Sequence, residues 1–347
     1  MNTLSITNVA APLIFDCYLR PQVWGGRRLA AFLNASLPTD QLIGEAWVLS
    51  GHPLHVSRVS AGPLSGTRLA DLHDHYPQEL RGDASPKSEK FPWLVKFLDC
   101  HDLLSVQVHP SDKLAAQWTR GERGKTEAWV ILDVEPGGAI YAGLKHGVTR
   151  SRLEQALDNG TVADCLHRYV PQPGDCIFLP AGTIHAVGGG VLMAEVQQTS
   201  DATFRLFDWN RVGPGGQPRQ LHRTEALACI DWSRGPVRPQ IPQRIYNLPA
   251  GVSGELLVDC PHFRLSRIHL NRDWQTRSTG ELCAWIVLDG QVEVSTETEA
   301  SVEIVGRGGT VLIPSALKSH HLRPIESATL LHVTMGTTAV AAADIAA

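Results

Sequence analysis

Two stretches of this chain occur twice. Glu127-Ala-Trp-Val-Ile-Leu-Asp133 returns as Cys283-Ala-Trp-Ile-Val-Leu-Asp289, and Gly174-x5-Pro180-x-Gly182-x2-His185 returns as Gly308-x5-Pro314-x-Ala316-x2-Ser319. Both members are runs of Val, Ile, Leu and Trp bounded by Gly and Pro, which read as short β-strands. A chain that repeats such strands must build the same local scaffold twice. The copies differ at their polar positions, where Cys283 replaces Glu127 and Ser319 replaces His185. They also differ in length: 47 positions separate Glu127 from Gly174, but only 25 separate Cys283 from Gly308. The extra residues include Thr149 to Leu157, with a helical start and apolar spacing, and Val162 to His167, which adds a turn. A second helical patch runs from Leu69 to Leu80. The Pro- and Gly-rich segments 213–218 and 235–242 separate the halves.

The expectation is a mainly β protein of two β-barrel (jelly-roll) domains, residues 1–240 with helical insertions and residues 241–347 without a ligand set. Such barrels leave an open mouth for a ligand. At 347 residues the chain is long enough for two domains, and 43% apolar with 19% charged residues fits a folded protein. A net charge of −4 provides no basic field for nucleic acid or anionic lipid, so an anionic substrate must be met by a few local Lys and Arg residues. No apolar run spans a bilayer, and Met1-Asn-Thr-Leu-Ser lacks the basic start of a secretory signal. Seven scattered cysteines, none in a Cys-x-x-Cys pair, argue against a disulfide framework or a thiolate zinc site, with Cys100 and Cys176 expected as packing residues. A cytoplasmic location is the default expectation.

The polar residues of the first copy suggest a metal. In Ser105-Val-Gln107-Val-His109-Pro110, residues 107 and 109 project from one face of a strand. Glu127 and His185 come from other strands, so two nitrogen and two oxygen donors can converge on one divalent ion. Mixed imidazole and oxygen ligation suits Zn²⁺, with room for a fifth, exogenous oxygen. His52, His55, His73, His75, His320 and His321 lack an acidic partner in sequence and read as surface or core histidines.

The spacing from Gly174 to His185 fills the second half of the cupin signature, while Gln107 stands where a first histidine is usual and Glu127 comes late. With Phe91-Pro92-Trp-Leu-Val-Lys96, Gly124-Lys125-Thr126-Glu127 and Gln197-Gln198-x-Ser200-Asp201-x-Thr203-x-Arg205, the chain resembles the type I mannose-6-phosphate isomerases in their short bacterial form. Trp24-Gly25-Gly26 and Gly44-Glu45-Ala-Trp47 add to the likeness, which is dense from Trp24 to Arg211. The resemblance implies one zinc ion per chain on Gln107, His109, Glu127 and His185. It also implies an active cleft containing Lys125, Glu195 and Arg205, and a phosphate pocket containing Lys96 and Ser105. The implied reaction converts mannose 6-phosphate to fructose 6-phosphate through an enediol. Glu195, Lys125 and a metal-bound water all remain open as the base. Arg205 either stabilises enediolate charge or pairs with Asp201. A metal-dependent cupin dioxygenase and a non-catalytic sugar-binding cupin are the competing readings.

Overall fold

A computed structural model describes residues 9–82, 90–212, 216–277, 280–297 and 303–337. The N-terminal pentapeptide and residues 213–215 of the Pro/Gly segment lie outside these. The chain forms three antiparallel sheets. A seven-stranded sheet takes its strands from Tyr18–Gly26 through Val191–Gln198, and a five-stranded sheet combines Val106–Val108, Ile140–Leu144, Leu166–Tyr169, His185–Val187 and Phe204–Phe207. These two enclose the first barrel. A nine-stranded sheet, built from residues 243–334 together with the short strand Leu13–Ile14, forms the second. Leu13–Ile14 pairs with Thr310–Ile313, so the N-terminal segment contributes a strand to the C-terminal barrel.

The repeat read in the sequence is a repeat of register. Leu179, the residue before Pro180, lies across from Glu127, and Ile313, the residue before Pro314, lies across from Cys283. The second barrel achieves its curvature with long strands, Cys283–Ser295 and Ser319–Thr334, whose pairing slips at Val287/Asp289 and Gly290/Val292. Such bulges bend a strand from one layer to the other. Gly290 sits at the bend with φ 77°, and a Cβ there would lie 2.1 Å from the Ser327 carbonyl oxygen, so only glycine fits.

The strand Glu127–Val134 is apolar on both faces because both faces are covered. Trp129 and Ile131 point into the first barrel with Leu98, Met193 and Ile177. Ala128 and Val130 point the other way, into a core shared with Ala284, Ile286, Leu331 and Val333 of the second barrel. Burial of a sheet on both sides removes the usual polar alternation. The expected helices are present as Arg150–Asn159, a 3-10 turn at Val162–Cys165, and two short helices, Leu69–His75 and Pro77–Arg81. Three more escape sequence periodicity: Arg28–Leu33, Asp112–Trp118 and Arg223–Cys229, each of only six or seven residues and so too short to show a clear period. No helix among the described residues is long and apolar enough to cross a membrane. Cys100 and Cys176 are buried and, like the other cysteines, free.

Candidate metal centre and active site

Three cross-strand neighbours line up on the five-stranded sheet: Arg205 lies across from Gln107, and Gln107 across from His185. Directly opposed residues on one face sit about 5 Å apart, so the row is contiguous. From the facing sheet come Glu127, Glu195 on the adjacent strand, and Lys96 opposite Glu195 on the strand after that. Glu127 bridges the two sheets, its oxygens 3.3 Å from His185 Nε2 and 3.5 Å from His109 Nε2. The donor atoms of His109, Glu127 and His185 all lie within 4.8 Å of one another, and all three residues are buried.

The signature residues shape this cluster through the backbone. Gly182 adopts φ 86°, which places its N–H on the His109 carbonyl oxygen at 2.9 Å, and the chain then enters the strand that begins at His185. Lys125 N–H bonds to the Pro110 carbonyl at 3.0 Å, fastening the approach to Glu127 beside His109.

A cation fits here. His109 donates Nδ1–H to the Ala202 carbonyl and His185 donates Nδ1–H to the Thr183 carbonyl, each at 2.8 Å. Both rings therefore present an Nε2 lone pair inward, the tautomer that metal ligation requires. Burial holds His109 well below the usual imidazole range and pushes His185 down to about 4, so both are neutral at pH 7. Glu127 is fully buried and its Oε1 accepts no hydrogen bond, which leaves acceptor capacity a cation would satisfy. Burial pushes its carboxyl up to about 7 against the pull of Lys125, whose ammonium lies 2.9 Å away. The Gln107 amide nitrogen lies 3.3 Å from His185 Nε2, and a half-turn of the amide puts its oxygen there instead.

The cluster opens on a cavity of about 290 Å³ whose walls include Gln107, Lys125, Glu195, Lys96, Ser105 and Arg205. All the expected site residues thus converge on one place, with His109, Glu127 and His185 behind its wall. Lys96 is 3% exposed and lies between two carboxylates, 3.4 Å from Glu195 and 3.6 Å from Glu45. Glu195 Oε2 accepts from Trp129 Nε1 at 3.0 Å, while its Oε1 faces the Lys96 ammonium. Burial raises the Glu195 pKa less than Lys125 and Lys96 lower it, so the carboxyl stays below its ordinary value. Asp201 pairs with Arg20 at 3.3 Å; Arg205 instead donates Nε to Ser105 Oγ at 3.2 Å and Nη1 to the Gln220 carbonyl at 2.9 Å. The alternative in which Arg205 serves Asp201 is therefore not what the side chains do.

The cavity is polarised. Its inner end carries the buried cations Lys96 and Lys125 against the buried carboxylates Glu45 and Glu195, with Glu127 behind the wall and the partly exposed Arg20–Asp201 pair alongside. Its outer end carries Arg205 and Arg219, backed by Arg211, around the single carboxylate of Asp208. Burial, and then the Arg219 guanidinium, hold Arg205 below its ordinary value, with Asp208 acting the other way. Sequence reading missed Glu45, Arg20, Arg219 and His222 as cavity residues. Glu45 had a signal: Glu45-x-Trp47 repeats Glu127-x-Trp129, and both glutamates end beside an inward cation. Among the histidines, His52 is buried and does meet a carboxylate, Glu122 at 2.9 Å, 70 positions away and so invisible to local pattern.

A β-barrel with a buried His-Glu-His cluster behind the cavity wall and arginines at the mouth has the donors for a divalent cation and the charge for a small anionic ligand. Comparison with known proteins narrows this. Residues 13–127 match the model of the phosphomannose isomerase type I catalytic domain. The mannose-6-phosphate isomerase ManA of Bacillus subtilis is 32% identical over 286 residues, 81% of this chain and 86% of its own. A crystal structure of the Bacillus subtilis mannose 6-phosphate isomerase superposes with a TM-score of 0.84 at 27% identity, covering 93% of this chain and 99% of the other. A zinc-bound mannose 6-phosphate isomerase shares the fold at 15% identity, with a TM-score of 0.74 over 94% of this chain and 100% of its own. The chain belongs to the mannose-6-phosphate isomerase family.

Proposed function

We propose that the chain interconverts mannose 6-phosphate and fructose 6-phosphate in the polarised cavity of the first barrel, residues 1–240, with residues 241–347 as a domain without metal ligands. The observation that carries this is the juxtaposition of a His-Glu-His cluster with a cationic mouth across one 290 Å³ cavity. Family membership disfavours the dioxygenase and binding-only readings.

Gln107, His109, Glu127 and His185 would hold one zinc ion, and the bound ion would supply electrophilic stabilisation to the sugar's O1 and O2. The named zinc-bound relative supports that choice of metal. Glu195 is the carboxylate we assign to moving the proton between C2 and C1. Its Oε1 faces Lys96 Nζ at 3.4 Å, the residue lines the cavity, and Lys125 and Lys96 keep it ionised. Lys125 neutralises charge beside Glu127, and Arg205, next to Gln107 in the sheet, stabilises the negative charge that develops on the enediol oxygens. Of the two phosphate contacts implied by resemblance, Ser105 opens on the cavity beside Arg205. Lys96 is committed to Glu45 and Glu195, and we assign it to holding Glu195 ionised. The phosphate then belongs at the mouth, near Arg219. A cytoplasmic site of action accompanies the proposal, consistent with the free cysteines among the described residues.

The test is a coupled assay on mannose 6-phosphate with metal analysis of the same sample. About one zinc per chain, and activity lost on chelation and restored by zinc, is expected. Full activity in metal-free protein would overturn the site assignment.

A further inference from the structure

Beside Arg205 and Arg219, the cavity mouth is lined by His222. This residue is linked twice to Arg205. The Arg205 backbone N–H donates to His222 Nδ1 at 3.3 Å, and the His222 backbone N–H donates to the Arg205 carbonyl at 2.8 Å. An Nδ1 that accepts a hydrogen bond fixes the tautomer, so in the neutral ring the proton sits on Nε2. That N–H has no partner among the described residues. Phe204 packs edge-on against the ring, with centroids 6.1 Å apart, and limits its rotation.

The neighbouring guanidiniums each retain a donor arm too. Arg205 uses Nε and Nη1, leaving Nη2, and Arg219 uses Nε and Nη2 on Asp208, leaving Nη1. With Arg205 Nη2 serving the enediol oxygens, His222 Nε2–H and Arg219 Nη1 are left in the same cavity lining for an anion. Water could solvate such donors. A phosphate dianion, with three acceptor oxygens and negative charge, suits such donors.

We propose that His222 is a specificity-determining residue, donating Nε2–H to the phosphate group of the sugar phosphate while its Nδ1 holds the Arg205 backbone in place. This rests on the sugar-phosphate reading above. It adds the residue that separates phosphorylated from unphosphorylated sugars without touching the reacting carbons.

Asn and Gln separate the two roles of the ring. In His222→Asn the side-chain oxygen can replace Nδ1 as the acceptor for Arg205, but no donor reaches the Nε2 position. In His222→Gln the amide nitrogen reaches that position. For the zinc-loaded protein, His222→Asn should raise KM for mannose 6-phosphate about tenfold, the scale of one hydrogen bond to a charged group, with kcat changed by less than about twofold. The dissociation constant of inorganic phosphate, measured by calorimetry, should rise by a similar factor, and His222→Gln should recover most of both losses. In the unaltered protein, the His222 Nε2 resonance should shift on phosphate titration, a readout that needs no folded variant. Unchanged KM and phosphate affinity in a folded His222→Asn, or an Nε2 resonance indifferent to phosphate, would overturn the proposal. A fall in kcat alone would overturn it as well, leaving His222 a support for Arg205. If the unaltered chain fails to turn over mannose 6-phosphate, the activity reading fails on its own, while the phosphate titration still decides the role of His222.

Discussion

In the first barrel Leu179 faces Glu127 across one strand boundary and Glu195 faces Trp129 across the other. In the second, Ile313 faces Cys283 and His332 faces Trp285. The same pairings hold unlike side chains. In the first, Trp129 Nε1 donates to Glu195, a charged group at the cavity wall. In the second, Trp285 Nε1 donates at 2.9 Å to His320, which also meets Thr276 Oγ1, and the surrounding interior is filled by Val287, Leu322 and Leu330. The backbone also diverges where it matters: left-handed geometry precedes His185 at Gly182, but among the described residues it does not occur at Ala316 ahead of Ser319. Register is therefore set by apolar periodicity and bulges, and the site by a handful of inward polar residues that register alone does not demand.

The largest expected effect separates the barrels outright. Glu127→Ala and His185→Ala should each lose bound metal and lower kcat by at least about 10³-fold, because each removes a ligand from a buried set. Stoichiometric zinc in either variant, measured by atomic emission, would take that residue out of the set. Arg205→Ala comes next, with kcat down about 10²–10³-fold and zinc retained, since it is not a ligand. Arg205→Lys should also be poor, because a point charge on a flexible stem does not reproduce the planar fork. An unchanged kcat would leave Arg205 with a purely structural role.

The shared core tests whether the two barrels are one cooperative body. Phe97 is fully buried in the core that joins them, with its ring 4.7 Å from Phe32. Phe97→Ala should cost about 3–5 kcal/mol in denaturant unfolding. If tryptophan fluorescence and far-UV circular dichroism then report separate transitions, the barrels unfold independently.

A smaller effect belongs to the second barrel alone. His320 is buried and pushed down to about 4, first by desolvation. Its neutral form is the one that folds, so the unfolded chain binds the extra proton. Stability is thus undiminished above the ordinary histidine value near 6.5 and declines as pH falls from there towards 4. His320→Gln should flatten this part of the stability profile, and an unaltered slope would show that other groups carry it. Smallest of all, Cys283→Ser and Ser319→Ala should leave zinc content and turnover within about twofold. A metal found near Ser319 would end the contrast between the barrels.

Much of this architecture is legible in the order of residues alone. Runs such as Glu127–Asp133 and Cys283–Asp289 carry β-branched and aromatic residues at strand spacing, and a Gly-Pro-Gly frame fixes where such a strand must turn, because sterics at those residues are local. Part of the proposed ligand set is legible for the same reason: parity in a strand puts Gln107 and His109 on one face. The loss of Glu127 and His185 from the second copy is equally plain in the sequence. Only the folded chain decided the rest. That Leu13–Ile14 closes the opposite barrel, that Ala128 and Val130 face a shared core, and that Lys96 lies between Glu45 and Glu195 all depend on strands far apart in sequence meeting at a given register. The partner of Asp201 is Arg20 and not the nearby Arg205, and the cationic mouth gathers Arg219 and His222 from a segment without strand periodicity. Electrostatic pairing acts through space, so its partners emerge only when packing has set the distances.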